Sequence, residues 1–329
     1  MRNIQRIRSL ATTPMTFTAA NTYIGQVGEL VSVFDDDSGA AVALRIHDGN
    51  TIGGLHYYQI NSYVPSSDPN APNQDGVDNI YTGIPSGWLT DNVIDYSAYF
   101  DGTNYLSRNF GSGGSTTTWT FSFWYKREKI NETHSIFIPT VSGDESQFHF
   151  RSNNDLRIYD DGGPNFNASS PGLFVDASSW GHVIVVLDST NSTQKDRIQM
   201  YHNGNKIEHI DPGYGTNMIS SGYSAKYNTN VSHQIGGFNG SSLFRGHMAN
   251  VQFIDGAALD PSYFGETVEG NWIHRPYDGT SIVEGATPVS GLSGNDIYGT
   301  NGFYLNFADE SNLGKDVSGN GNNFTVGTV

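Results

Sequence analysis

The sequence predicts an all-β protein: two antiparallel sheets packed as a sandwich, with a small β-rich module in front. Three observations lead there. Thirty-nine glycines, 18 tyrosines and 18 phenylalanines, with only 15% charged residues, suit a chain of many strands and tight turns. Short apolar or alternating runs recur along its length, bounded by Gly, Asn and Asp, as sandwich strands are. The stretch from Trp180 to Ile207 holds a buried strand, a polar loop and a hairpin in succession.

In chain order, Val31 and Val33 alternate with polar neighbours and Asp35-Asp36-Asp37-Ser38-Gly39 makes a turn. Val42, Leu44 and Ile46 alternate back before His47-Asp48-Gly49 turns again. A piece of about 60 residues with so few large apolar side chains hardly closes a core alone. Residues 1–62 are therefore expected to be completed by copies of themselves or by a larger assembly. The aspartate triplet reads as an acidic turn, because a calcium loop needs regularly spaced oxygen ligands and a distant glutamate. Residues 63–88 carry Pro65, Pro69, Pro72 and Pro85 among Ser, Asp, Asn and Gly, which is linker composition.

Residues 89–329 make the main domain. Ala98-Tyr99-Phe100, an Asp101-Gly102 turn and Asn104-Tyr105-Leu106 predict a first hairpin. Trp119, Phe121, Phe123 and Tyr125 share one face of the next strand, with Thr120, Ser122 and Trp124 on the other. The Lys-Arg-Glu-Lys run from Lys126 to Lys129 ends that strand in solvent. Short strands follow at Ser135–Ile138, Gln147–Arg151 and Leu156–Tyr159. Val183–Leu187 is an unbroken β-branched and aliphatic run, the mark of a strand covered on both faces. Ser189–Lys195 is polar and leaves the core. Ile198–His202 alternates again, and Asn203-Gly204 supplies two residues that accept positive φ for a tight hairpin. Ser232–Phe238 and Phe244–Phe253 complete the series, and Asp260-Pro261 reads as an N-cap followed by an N1 proline. Trp180 and Phe123 are expected between the sheets, and Gly204 on the solvent side of its turn.

Two resemblances add to this. Gly28-Glu29-Leu30-Val31 and Leu44-Arg45-Ile46-His47-Asp48-Gly49-Asn50-Thr51-Ile52-Gly53-Gly54 resemble the N-terminal module of bacteriophage head-fibre and tropism-determinant proteins. That resemblance implies a homotrimer whose first module faces the virion, with Arg45, His47 and Asp48 at the attachment. Tyr99–Leu106, Thr120–Trp124, Trp180–Val183 with Tyr201–Gly204, and Phe244–Val251 together resemble a laminin G-like, concanavalin A-like jelly roll over residues 90–265. Asn271-Trp272-Ile273, Gly302–Phe307 and Lys315–Asn322 are similar to the C-terminal portion of such domains in marine phage structural proteins. In many of these domains the Asp-x-Ser-Gly-Asn-Gly-Asn stretch precedes the first strand, whereas here it follows the last. The alternation of Phe303, Leu305 and Phe307 favours closure of the same sandwich. The implied partners are other copies of the chain, capsid or tail proteins, and a host-surface glycan. The implied location is the virion surface, after assembly in a bacterial cytoplasm.

The bulk numbers exclude several classes. A net charge of −16 repels the phosphate backbone, so nucleic acid is not an expected partner; Arg2, Arg6 and Arg8 read as a solvated terminus. With no cysteine there is no disulfide or thiolate chemistry, which suits a reducing compartment. Residues 1–25 hold no continuous apolar run, and no later run approaches the ~20 residues that span a bilayer, so membrane insertion is not expected. Asn131-Glu132-Thr133 and Asn191-Ser192-Thr193 match the glycan-acceptor pattern but read as plain polar loops.

Catalysis is not expected either. Jelly-roll glycosidases alternate carboxylates along one strand, and no Glu-x-Asp-x-Glu stretch exists here. Asp309 and Glu310 would fall on opposite faces, and Glu208 with Asp211 only flank a hairpin end. His47, His182, His202, His209, His233 and His247 lack a paired ligand spacing, and no serine has a glycine-flanked elbow. No cofactor is expected, calcium at Asp160 and Asp161 being a weak candidate against an ordinary turn. Glycan binding is best supported by Tyr-, Asn- and Gly-rich loops. The candidates are Tyr159 and Asn165 in 159–167, and Tyr214, Tyr223 and Tyr227 in 213–230. The leading reading is a virion fibre or appendage that adheres to host glycan. A purely structural decoration protein is the alternative, and a polysaccharide-degrading enzyme the third.

Overall fold

The computed structural model describes residues 94–329 apart from 112–113, 142–145, 161–165, 172–173, 209–218, 269, 282–288 and 290–296; before residue 94 it describes four strands. The chain divides into two compact units, Met1–Thr90 and Asp91–Val329. In the first, β1 (Met15–Thr16) runs parallel to β2 (Leu30–Phe34). Then β3 (Ala41–Ile46) and β4 (His56–Gln59) continue the sheet antiparallel. The two alternating runs are β2 and β3. Arg45 lies in β3 opposite Val31 and Tyr57, while His47 and Asp48 fall outside the described residues.

The second unit begins with β5 (Ala98–Asp101), β6 (Asn104–Asn109), β7 (Thr118–Arg127) and β8 (His134–Thr140). It continues with β9 (Gln147–Phe150), β10 (Leu156–Asp160), β11 (Phe166–Ser169) and β12 (Gly181–Asp188). The hairpin of β13 (Ile198–His202) and β14 (Asn205–Ile207) follows, then β15 (Ser232–Ile235) and β16 (Arg245–Asp255). Last come β17 (Gly265–Val268), β18 (Asn271–His274), β19 (Phe303–Leu305) and β20 (Thr325–Thr328). Every pairing among them is antiparallel. The first sheet runs β11-β10-β9-β8-β15-β6-β20; the second runs β14-β13-β12-β7-β16-β19, with β5 on the end of β16. This is the expected two-sheet jelly-roll sandwich.

Its core is aromatic. Trp119, Phe121, Phe123 and Tyr125 of β7 all point inward, as their alternation predicts, and Phe123 is 0% exposed. Phe121 stacks on Phe137 at 4.7 Å, and Phe148 meets Phe121 and Phe123 edge-on. The C-terminal segment closes this same sandwich: β19 pairs with β16 and β20 with β6. Between them Asp316 accepts from the backbone N–H of Tyr304, Ser318 and Asn322, so the Asp-x-Ser-Gly-Asn-Gly-Asn stretch is a carboxylate-centred loop.

Three expectations need correction. Residues 98–106 are not a hairpin: β5 joins the second sheet and β6 the first. The Asp101-Gly102 turn carries the chain across the sandwich, Gly102 at φ 84° and Asp101 Oδ1 accepting from Thr103 N–H. Arg127 does not end β7 in solvent. Following the inward alternation, it is buried over Phe150 and donates to Phe174 O, and burial lowers its pKa to about 10. Gly204, at φ 75° beside Asn203 at φ 47°, confirms the primed turn. It is not open, however, because a Cβ there would stand 2.4 Å from the Trp272 ring.

A second apolar layer explains the unbroken run in β12. Val183, Val185 and Leu187 face the core. Ile184 and Val186, with Ile254 of β16, face outward under Leu259, Tyr263, Phe264, Tyr277 and Tyr298. The chain after β16 thus forms a strap over the outer face of the second sheet. Its start is the expected Asp260-Pro261 turn, Asp260 Oδ1 capping Ser262 N–H at 2.8 Å. Among the described residues no helix is long and apolar enough to cross a membrane.

Candidate functional site

The strap leaves one end of that outer face open. Register sets Tyr99 of β5 opposite His247 of β16, and His247 opposite Lys126 of β7. One row further in, Ala249, Trp124 and His182 are neighbours. Trp180 immediately precedes β12, whose first residue, Gly181, pairs with Tyr125. Trp180 therefore stands over the outer row, and the expectation that it is buried between the sheets is overturned: it is 40% exposed. It meets His247 edge-on at 6.1 Å. Tyr96 is 53% and Tyr99 49% exposed. These three are the exposed aromatic side chains among the described residues, and all border one groove.

The groove has two lobes that share Ser97 and Trp180. One, of about 300 Å³, is lined by Ile94, Trp124, Ala249 and Ile273, with Asp95 and Tyr96 at its edge. The other, of about 420 Å³, is lined by Tyr99, Lys126, Glu128 and His247. Polar groups in the second lobe are fixed by neighbours. Tyr99 donates its hydroxyl to Glu128 Oε2 at 2.7 Å, and this bond raises the phenol's pKa above its ordinary value. Ser97 Oγ lies 3.1 Å from His247 Nδ1.

The walls are held from behind. Asp176 Oδ1 accepts from Ser178 N–H, Ser178 Oγ and Ser179 N–H, shaping the turn that delivers Trp180 and holding its own pKa down to about 2. Trp124 lies flat on His182, 4.7 Å apart and 6° from parallel. His182 is buried and its pKa lies well below the usual imidazole range, chiefly through desolvation. Its tautomer is set by geometry: Nδ1 accepts from Trp272 Nε1–H at 2.9 Å, so Nε2–H faces Ser122 Oγ at 2.8 Å. Asn250, at φ 45° in the β16 irregularity, accepts from Tyr304 and donates Nδ2–H to His274 Nε2, pinning the strap where the open end begins.

The sequence-predicted site residues lie elsewhere. Tyr227 is 0% exposed between Trp119 and Phe137, its hydroxyl on Tyr159 O. Tyr223 is buried edge-on to Phe166. The expectation that these rings offer faces to a glycan is corrected: the 219–231 segment returns to the core through the bond of Ala225 N–H to Thr116 O. Tyr159 is half-buried on the outer face of the first sheet, with the Arg157 guanidinium 4.1 Å above it. Asn165, Tyr214 and Asp161 fall outside the described residues. Asp160 is buried and accepts from Ser146 Oγ and Lys226 N–H, so its carboxylate is committed to the protein and does not fit a calcium ligand. Among the described residues no group of three or more acidic or histidine side chains is placed to hold a metal. The signal for this groove in the sequence was the alternation itself, which sets Tyr99 opposite in direction to Ala98 and Phe100.

Residues 100–262 match the family model described as the concanavalin A-like lectin/glucanases superfamily. No curated protein matches the chain. Among solved structures it is similar to a heptameric SAP-like pentraxin from Limulus polyphemus, at 18% identity over 50% of this chain and 76% of that one, TM-score 0.36. A putative carbohydrate binding protein from Bacteroides ovatus shares 19% identity over 71% and 60%, TM-score 0.36. Domains LG4-5 of the mouse laminin alpha1 chain share 14% over 56% and 47%, TM-score 0.35. At such identities nothing about ligand or activity passes from these structures to this chain.

Proposed function

We propose, from the premise that residues 91–329 form a laminin G-like, concanavalin A-like lectin domain, that this domain binds glycan in the groove around Trp180. The convergence of Tyr96, Tyr99 and Trp180, the exposed aromatic side chains among the described residues, carries the reading. Flat aromatic faces pack against the C–H faces of sugar rings, while Asp95, Lys126, Glu128 and His247 supply hydrogen bonds at the rim. The reading is one of binding and not of catalysis, supported by the lack of a Glu-x-Asp-x-Glu stretch in the sequence. Glycan-array binding by the full chain tests this. The expected result is binding to a restricted glycan class, weakened at least ~10-fold in a Trp180→Ala protein of similar melting temperature. Binding to nothing, the outcome of a purely structural decoration role, or binding indifferent to Trp180, would overturn it.

The resemblance of the N-terminal module supports a finer reading, in which the chain is a homotrimeric virion fibre or appendage on capsid or tail. Residues 1–62 would join the copies and the particle through Arg45, His47 and Asp48, and the lectin domain would meet the host-surface glycan. Sedimentation of the full chain should give a trimer, and a monomer at micromolar concentration contradicts that arrangement.

A further inference from the structure

The two lobes of the groove differ in chemistry, and we infer that the ligand spans both: an oligosaccharide of at least two residues that seats a methyl-bearing sugar in the apolar lobe. This rests on the glycan-binding reading above and narrows it. The lobe beneath Trp180 is walled by Trp124, Ile94, Ala249 and Ile273. Its polar neighbours are already engaged. His274 accepts from Asn250 at Nε2, and the Phe264 backbone holds the same ring. Ser97 is bonded to His247. The Asp95 carboxylate and the Tyr96 hydroxyl, both on exposed residues, are what remain, and they stand at the rim and not on the wall formed by Trp124, Ile94, Ala249 and Ile273.

A sugar hydroxyl pushed against that apolar wall, away from the rim, leaves water without gaining a partner, which is unfavourable. A methyl group gains the contact at no such cost. The chemistry shared by an acetamido group and a 6-deoxy carbon is that methyl. The second lobe is the opposite case, with Tyr99, Lys126, Glu128 and His247 around it. Hydroxyls there find both donors and acceptors. Each lobe lies near the lower end of the ~300–1,000 Å³ of small-molecule sites, and they meet at Trp180 and Ser97. A ligand that fills both is longer than a monosaccharide and crosses the Trp180 ring.

The test is calorimetry on the full chain with three β-linked disaccharides: an N-acetylated one, one carrying a 6-deoxy residue, and an unsubstituted glucose pair. The matching monosaccharides serve as a fourth arm. We expect one methyl-bearing disaccharide to bind about 10-fold or more tightly than the unsubstituted one, as apolar pockets discriminate by 10–200-fold per methylene. Which of the two does so identifies the source of the methyl. Ile273→Ser, checked for an unchanged melting temperature, should erase that preference, while Lys126→Ala should weaken disaccharides more than monosaccharides. Equal affinity for all disaccharides, with Trp180→Ala still abolishing binding, overturns this inference and leaves the glycan reading standing. Monosaccharides binding as well as disaccharides overturns the two-lobe ligand. Failure of every saccharide overturns both readings.

Discussion

Along β7, β12 and β16 the outward side chains change from Ile184, Val186 and Ile254 at one end to Lys126, His247 and Trp180 at the other. At the first end the strap covers them with Leu259, Phe264 and Tyr277, adding an apolar layer outside the sandwich. At the second the strap stops at Trp272–His274, and aromatic rings stand in solvent around a groove. The same strands serve both ends, so strand pattern alone does not distinguish structure from site. What distinguishes them is whether another element reaches across. Exposed rings left beyond that reach are surface a monomer would otherwise hide.

The covered end should behave as core. Phe264→Ala is expected to cost about 3–5 kcal/mol in thermal or chemical unfolding, the range for truncating a large buried aromatic. The strap's seat on the β13–β14 hairpin should come next. Gly204→Val places a β-branched residue at φ 75° and drives its Cβ against Trp272. Backbone strain and overpacking together predict a loss of about 2–4 kcal/mol. Little change for either variant would mean that the strap is not packed on the second sheet.

Acidification should act where the strap ends beside the groove. Burial holds His274 down to about 4 and His182 well below the usual imidazole value, so both are neutral in the folded protein. The unfolded chain takes up these protons near pH 6.5, so from there down to about pH 4 it binds more protons than the folded state. Stability therefore falls as pH falls through that window. Melting curves from pH 7 to 4 should show the decline, less steep in His274→Gln, and an unchanged slope would remove His274 from this role.

At the open end the expected effects on stability are small. Trp180→Ala should cost about 1 kcal/mol or less while abolishing glycan affinity, the reverse of Phe264→Ala. Away from both ends, on the edge strand β14, Lys206→Ala, which removes a half-exposed ion pair with Asp196 at 2.8 Å, should stay within about 0.5 kcal/mol.

Much of the fold could be read locally. The Trp119–Tyr125 alternation, the Val183–Leu187 run, the Asn203-Gly204 turn and the Asp260-Pro261 cap depend on near neighbours, and the structure bears each out. Misreadings came where a distant element decides. Two short runs about a tight turn look like a hairpin whether their partners are each other or, as for β5 and β6, strands of opposite sheets. Tyr223 and Tyr227 sit in a polar, loop-like stretch that nonetheless folds into the core. Trp180 opens a buried strand but lies beyond the strap's edge. Residue type said that aromatic faces would serve a ligand; only the tertiary course of residues 256–281 showed which faces remain free.

The most direct test of the glycan site is a structure of the full chain with the best glycan from the array. Sugar density against the Trp180 ring, running between Ser97 and Lys126, is the predicted result. Density on the outer face of the first sheet near Tyr159, with the Trp180 groove empty, would contradict it.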